Sequence, residues 1–356
     1  MKQGRIYVCH TMYHVYVTLL KEMKKMREGE TVKADIALSS MFMDFGDLPG
    51  SLEQANVFQH VMPLHEKRFT DFPDLLAMKE DQGSLLKNLS QRMKFTKAYG
   101  KRQEQFIDID FSKYQDIYVF CDSDPIGYYL HTHKIKYHAV EDGLDCLKRF
   151  DAAHYDNRGH FGLKAFMAKL GLIHIQNGYD KYCLDMEIND DSFFDYHFSK
   201  YKVVPRKELE DALTAAEKKI ILKIFIPDAE ALTKELSGAE NCVLFLTEAY
   251  PKENEIREKV ALEIVAKYCS GSKVVIKPHP RDDVDYKTLL PECTVVTGKF
   301  PIEVLNFVEG IHFAKAVSII TSALDSIGFC EDKINLGPGI WDAYEDPEKH
   351  AFMVNR

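Results

Sequence analysis

Reactive side chains cluster in a few short stretches of this 356-residue sequence. A carboxylate pair followed by glycine, Glu141-Asp142-Gly143, comes directly after the strand-like run Lys136–Val140. On a tight turn at a strand's carboxyl end, one of these carboxylates can accept the proton of a hydroxyl nucleophile. Such a tripeptide also serves as an acidic turn or helix cap, and both uses stand at this point. Further on, Lys277-Pro278-His279-Pro280-Arg281 ends the strand-like run from Lys273. Two prolines fix the backbone around one histidine. Lys277, His279 and Arg281 thus gather at a strand exit, a local cationic spot. An imidazole held there can donate to a phosphate oxygen and, if protonated, stabilise a phosphate leaving group; the plain alternative is a solvated loop histidine.

Two weaker patterns follow. Pro301-Ile302-Glu303 puts Glu303 near the start of a short helix, where it complements the dipole or pairs with the vicinal hydroxyls of a ribose. Thr321 and Ser322 leave a buried strand for a helix start, offering a phosphate cradle or an ordinary N-cap. Asp122-Ser123-Asp124 has the D-x-D form of a metal-binding pair, but Pro125 and the helix behind it favour capping.

These residues need elements to hold them at strand ends. The first half alternates apolar strands (Arg5–Cys9, Ala34–Leu38, Asp116–Phe120, Lys136–Val140) with helical runs at Tyr13–Met26 and Ile126–His133. That alternation predicts a parallel sheet wrapped by helices. Residues 155–205 are poorer in pattern, and Lys207–Phe225 is helical in period and strongly charged. A second series then runs through Val243–Leu246, Asn254–Tyr268, Lys273–Ile276, Thr294–Val296, Ile302–Phe307 and Ala316–Ile320, with a last helix from Thr321-Ser322 toward Phe329. The predicted fold is α/β, with two Rossmann-like halves joined near 200–220, domain boundary at 205/206, and a ligand in the crevice at the strand ends.

Composition narrows the function. With 46 Lys+Arg against 55 Asp+Glu the formal net charge is -9, a poor match for coating nucleic acid. Eight cysteines lie scattered without a C-x-x-C pair, several in apolar runs, so they read as free thiols in a reducing compartment. The basic N-terminus leads into a strand and two histidines rather than an apolar signal sequence, and no apolar run reaches membrane-spanning length. A cytoplasmic chain is expected, with peripheral membrane contact compatible.

Glu141-Asp142-Gly143, His279-Pro280, Pro301-x-Glu303 and Thr321-Ser322, in that order, resemble the bacterial sialyltransferases, and most of all glycosyltransferase family 52, the lipooligosaccharide sialyltransferases. The turn Cys9–His14 is similar to that family's N-terminus. The resemblance spans most of the chain, with its specific motifs in the C-terminal half. It implies a GT-B fold whose two domains face a central cleft: residues 1–205 on the acceptor side and 206–356 binding the CMP-sugar. It implies inverting, metal-independent transfer of sialic acid from CMP-sialic acid to a sugar hydroxyl, without a cofactor. By motif, His279 contacts the CMP phosphate and assists its departure, Glu303 binds the ribose, and Thr321 with Ser322 holds the phosphate. Asp142 or Glu141 is the general base, with Glu248 second in line. A homodimer is compatible with the likeness. Cys9–His14 and Asp44-Phe45-Gly46 are candidates to line the acceptor side. Two other readings compete: a GT-B-like sugar-nucleotide 2-epimerase, and a capsule or polysaccharide assembly protein that binds a nucleotide without turnover.

Overall fold

The computed structural model describes residues 3–149, 151–236, 241–251 and 253–350; Met1 and Lys2 of the basic opening lie outside them. The chain divides into two compact units, Met1–Ala212 and Leu213–Arg356. The division falls after Ala212 rather than at 205/206 because helix Arg206–Asp211 packs on helix Met12–Arg27, where Tyr16 donates to Glu210 at 2.7 Å.

In the first unit, β1 (Gln3–Cys9), β2 (Asp35–Ser39), β3 (Val61–Leu64), β4 (Tyr114–Phe120), β5 (Tyr137–Val140), β6 (Cys183–Ile188) and β7 (Tyr201–Val203) form one sheet. Their order is β3-β2-β1-β4-β5-β6-β7, and every pairing is parallel. Ile6, Tyr7, Val8 and Cys9 are all fully buried, as a central strand covered on both faces requires. Helix Met12–Arg27 is capped by Thr11, whose side chain accepts from the His14 N–H. The helix is pinned to β1 by the buried Arg5–Glu22 ion pair, to which the Tyr7 hydroxyl adds a third bond.

In the second unit, β8 (Cys242–Leu246), β9 (Lys273–Lys277), β10 (Thr294–Val295), β11 (Phe313–Ser318) and β12 (Cys330–Asn335) form a parallel sheet in the order β10-β9-β8-β11-β12. Both sheets reverse strand order once, between β1 and β4 and between β8 and β11. In an open parallel sheet such a switch point leaves a crevice outside the carboxyl ends of the strands, where ligands bind.

Several elements differ from the sequence reading, which named neither β3, β12 nor the helix Leu85–Arg102. The charged run 207–225 is broken: a second helix, Ala215–Phe225, starts at Thr214 with a capping box to Glu217. The region 155–205 holds helix Phe161–Leu170 and the strands β6 and β7, which widen the first sheet. The helix expected from Thr321 toward Phe329 is a single turn, Ala323–Ser326, after which the chain enters β12. None of the eight cysteines, all among the described residues, is in a disulfide. No helix of the described residues is long and apolar enough to cross a membrane.

Candidate functional site

The first switch point gathers residues from four strand exits. His10 and His14 follow β1, Glu66 follows β3, Cys121 and Asp124 follow β4, and Glu141 and Asp142 follow β5. His14 Nδ1 accepts the backbone N–H of His10 at 3.0 Å. Its proton therefore sits on Nε2, which lies 2.7 Å from Asp142 Oδ1 and 3.0 Å from the Asp142 carbonyl oxygen. Burial lowers the His14 pKa more than Asp142 raises it, so the ring is a neutral donor. It stacks on Phe120 at a centroid distance of 4.4 Å, which fixes its plane. The Cys121 thiol donates to the same Asp142 oxygen at 2.7 Å, from a backbone in the left-handed region at φ 54°. Burial and the neighbouring carboxylates push that thiol well up, so it stays protonated and donates. Asp142 is thus an oriented carboxylate whose side chain is still 54% exposed.

Its neighbour Glu141 has another job. It is buried, with Oε1 accepting from Leu147 N at 3.1 Å and Oε2 from Asn189 N at 2.7 Å. Both oxygens hold backbone on either side of the turn, so geometry sets Glu141 apart from Asp142 as a structural carboxylate.

Behind this pair lies a buried polar group. His10 Nε2 meets Glu66 Oε1 at 2.6 Å, and Glu66 also accepts from Ser39 Oγ and the Ile126 N–H. Burial opposes a charge on His10, but Glu66 outweighs it and the pKa rises to about 9. Asp124, 3.7 Å from the same imidazole, is pushed up to about 7, chiefly by burial.

The D-x-D pair does not converge on a point. Asp122 is buried, its carboxylate accepting from Asn177 N and the Tyr137 hydroxyl. Asp124 stands at the N-cap of helix Pro125–Thr132, yet its side chain makes no capping bond, contrary to the capping expected. Among the described residues, two groups have ligand atoms close enough for a metal: His14–Cys121–Asp142, and the buried His131–His174–Asp180. Hydrogen bonds within each group already join these atoms. Asp44 accepts from Gly46 N, an ordinary turn.

At the second switch point, the Arg281 N–H donates to His279 Nδ1 at 3.1 Å, leaving the ring proton on Nε2. The His279 N–H donates to Thr247 Oγ1 at 3.0 Å. Thr247 donates in turn to Asp282, which Tyr286 and Arg257 also engage. Two prolines and this network hold the imidazole in place. Burial, then the charges of Arg281, Lys277 and Arg257, bring its pKa down to about 3, so it is a neutral donor rather than a cation.

Other expected groups sit differently. Lys277 is buried: its ammonium faces the carbonyls of Pro278 and Gly298 and lies 4.5 Å from the Phe300 ring centroid. The cation that this turn leaves at the surface is Arg281. Glu248 Oε1 accepts from Ile320 N at 3.1 Å, tying the exits of β8 and β11 together. Thr321 Oγ1 accepts from Ala323 N, and the four-residue turn behind Ser322 is too short for a helix-dipole cradle. Glu303 is buried in the turn Ile302–Phe307 and accepts from Ser326 Oγ at 3.0 Å. The sequence left Glu66, Cys121 and Thr247 without a role, and His10 and His14 only as part of the Cys9–His14 turn expected to line the acceptor side. The one visible signal was two histidines four apart where β1 enters its helix.

Comparison with known proteins bears on the family and the fold. Residues 74–324 match the model of glycosyltransferase family 52, and the chain belongs to that family. An uncharacterized protein of Haemophilus influenzae is 31% identical over 128 residues, which span 35% of this chain and 40% of that one. Among solved structures, the chain is similar to the 2,6-sialyltransferase of Photobacterium sp. JT-ISH-224, in a ternary complex with CMP and lactose. The TM-score is 0.59 at 11% identity, covering 99% of this chain and 75% of that one. The α/β-galactoside α-2,3-sialyltransferase of Photobacterium phosphoreum gives 0.53 at 12% identity, covering 99% and 94%. The GT-B domain of the Photobacterium damselae sialyltransferase gives 0.52 at 13%, covering 94% and 89%. The fold is GT-B.

Proposed function

We propose that this chain is a sialyltransferase, moving sialic acid from CMP-sialic acid to a sugar hydroxyl with inversion and without a metal or cofactor. The observation that carries the reading is the His14–Asp142 contact, an exposed carboxylate oriented at a switch point by a neutral donor of fixed tautomer. The acceptor hydroxyl oxygen attacks the anomeric carbon, its proton passes to Asp142, and the bond from that carbon to the phosphate oxygen breaks. His279 Nε2–H donates to the departing phosphate, supplying a fixed hydrogen bond where charge develops. Glu303, Thr321, Ser322, Arg281 and Lys277 complete the nucleotide side of this reading. Glu303 takes the ribose, Thr321, Ser322 and Arg281 face the phosphate, and Lys277 acts from behind as a buried support.

Membership of family 52 and the likeness to sialyltransferases, one of them holding CMP and lactose, support this reading. The motif resemblance further supports a terminal galactoside of a surface glycan such as lipooligosaccharide as acceptor. The resemblance also supports a homodimer, and the scattered unpaired cysteines support a cytoplasmic site of action, compatible with peripheral contact at the inner membrane. Nucleotide selectivity tests the donor. A ligand at a hundred times its Kd stabilises by about 2.7 kcal/mol, so saturating CMP should raise Tm by several degrees and UDP by much less. Equal shifts from both nucleotides would contradict a CMP donor.

A further inference from the structure

At the carboxyl ends of β2 and β3, the first unit holds a cleft that the transfer chemistry leaves unused. It measures about 400 Å³, in the range of small-ligand sites, and its walls include Ser40, Met41, Lys67, Arg68 and Phe106. The exit of β3 supplies its charge. In His65-Glu66-Lys67-Arg68 the acid is turned inward, where Glu66 is buried on His10, Ser39 and the Ile126 N–H. His65, Lys67 and Arg68 are exposed, and none of them is in an ion pair among the described residues. Asp71 is the exposed carboxylate on the rim, against two permanent cations.

This exit is held rigidly. The Lys67 N–H donates to Gln103 Oε1 at 3.0 Å, and its carbonyl accepts from Gln103 Nε2 at 2.9 Å and the Tyr99 hydroxyl at 3.2 Å. Gln103 is fully buried, so the turn is anchored to the core. The Arg68 guanidinium lies over the Phe42 ring, 4.4 Å from its centroid, which orders the long side chain before any ligand arrives. Phe42 packs edge-on against His10, and His10 edge-on against His14, the partner of Asp142. A run of ring contacts thus places Arg68 on the strand-end edge that carries the proposed base. The charge of Arg68 also reaches Asp124, whose side chain makes no capping bond and has one oxygen buried without a hydrogen bond. An arginine fork presents paired N–H donors that match the two oxygens of a carboxylate or phosphate.

We propose that the β3 exit, through Arg68 and Lys67, binds an anionic substituent of the acceptor glycan, a phosphate or carboxylate on a sugar next to the one that is sialylated. This rests on the transfer reading. The acceptor is then an acidic oligosaccharide rather than any terminal galactoside, and Arg68 is a specificity residue outside the bond-making step.

The test compares three acceptors that share one galactose: lactose, lactose phosphorylated on its glucose, and lactobionate, in which that glucose is a gluconate. With the full chain and CMP-sialic acid, kcat/KM should be about tenfold higher for at least one anionic acceptor than for lactose, through KM. The phosphate and carboxylate arms show which anion is taken. Arg68→Ala should bring that ratio to about one, Lys67→Ala should lower it, and Arg68→Lys should keep part of it. The Lys67 side chain is exposed and its bonds to the core are backbone ones, so Lys67→Ala keeps the fold even if Arg68→Ala does not. Equal use of all three acceptors, or a preference that survives Arg68→Ala, overturns the proposal. So does a higher KM for CMP-sialic acid in Arg68→Ala with lactose, which would assign these cations to the donor. Proton NMR titration of the same acceptors without donor reads Kd directly. An anion preference of about tenfold there sustains the subsite even if no sialoside forms, and its absence removes the subsite while leaving the transfer reading in place.

Discussion

Glu141 and Asp142 are adjacent and chemically alike, yet one is buried on backbone amides and the other exposed, and the proposed base is the exposed one. Asp142→Asn keeps the shape and removes the proton acceptor, so kcat should fall by about 10²–10⁴ with Tm unchanged. Glu141→Gln breaks one of two bonds to buried backbone, at a cost of about 1–3 kcal/mol, so Tm should fall while kcat per folded molecule is nearly kept. The reverse pattern would exchange the two assignments. His279→Ala removes one phosphate donor and should lower kcat by about 10²–10³ with the fold intact, measured as CMP release. Activity near that of the wild type would remove His279 from the mechanism. The motif located both carboxylates and the histidine, because turn residues and prolines are legible locally. Which carboxylate stays exposed was not legible, since it is decided by His14, Leu147 and Asn189, and His14 is 128 positions from Asp142. Likewise Lys277 reads as a surface cation until β9 carries it beneath Phe300.

At the scale of elements, each sheet delivers its polar residues by ending several strands at one edge. Beneath Asp142 this edge rests on the buried His10–Glu66 pair, which makes stability depend on pH. The folded pKa of His10, about 9, lies above the ordinary 6.5 despite burial because Glu66 favours the imidazolium. Its contribution is therefore complete below pH 6.5 and lost as pH rises through 9. Asp124, raised to about 7, acts in the same direction. The urea midpoint of the wild type should fall between pH 6.5 and 9.5, by the equivalent of roughly 3 kcal/mol at most, and His10→Gln should flatten that decline. An unchanged slope in the variant would show that His10 is not the titrating group.

Apart from the 207–225 and 321–329 helices, the strands and helices expected from hydrophobic pattern appear within a few residues of their bounds, whereas β3, β12 and helix Leu85–Arg102 were not read from it. The break at Thr214 was carried by its capping box, a signal hidden inside a run of charged helix formers. The 321–329 helix failed for a physical reason. Ile327, Phe329 and Cys330 are buried as the chain turns toward β12, and that tertiary burial overrides local helical propensity.

For the whole molecule, the shared logic is two parallel sheets, each with a switch point and each with a histidine of fixed tautomer close to it. Charge follows the same division of labour. A net charge of -9 coexists with a strand-exit turn, 277–281, exposing Arg281 and with two helices, Leu85–Arg102 and Phe161–Leu170, free of acids. The central claim is inverting, metal-free transfer from CMP-sialic acid. It is tested most directly by incubating the full chain with CMP-sialic acid and a panel of galactosides in EDTA, and reading the product linkage by NMR. The account predicts an α-linked sialoside formed one-for-one with CMP, at a rate that EDTA leaves unchanged. A β-linked product, turnover that returns only when a divalent ion is restored, or no sialoside with any galactoside would contradict it.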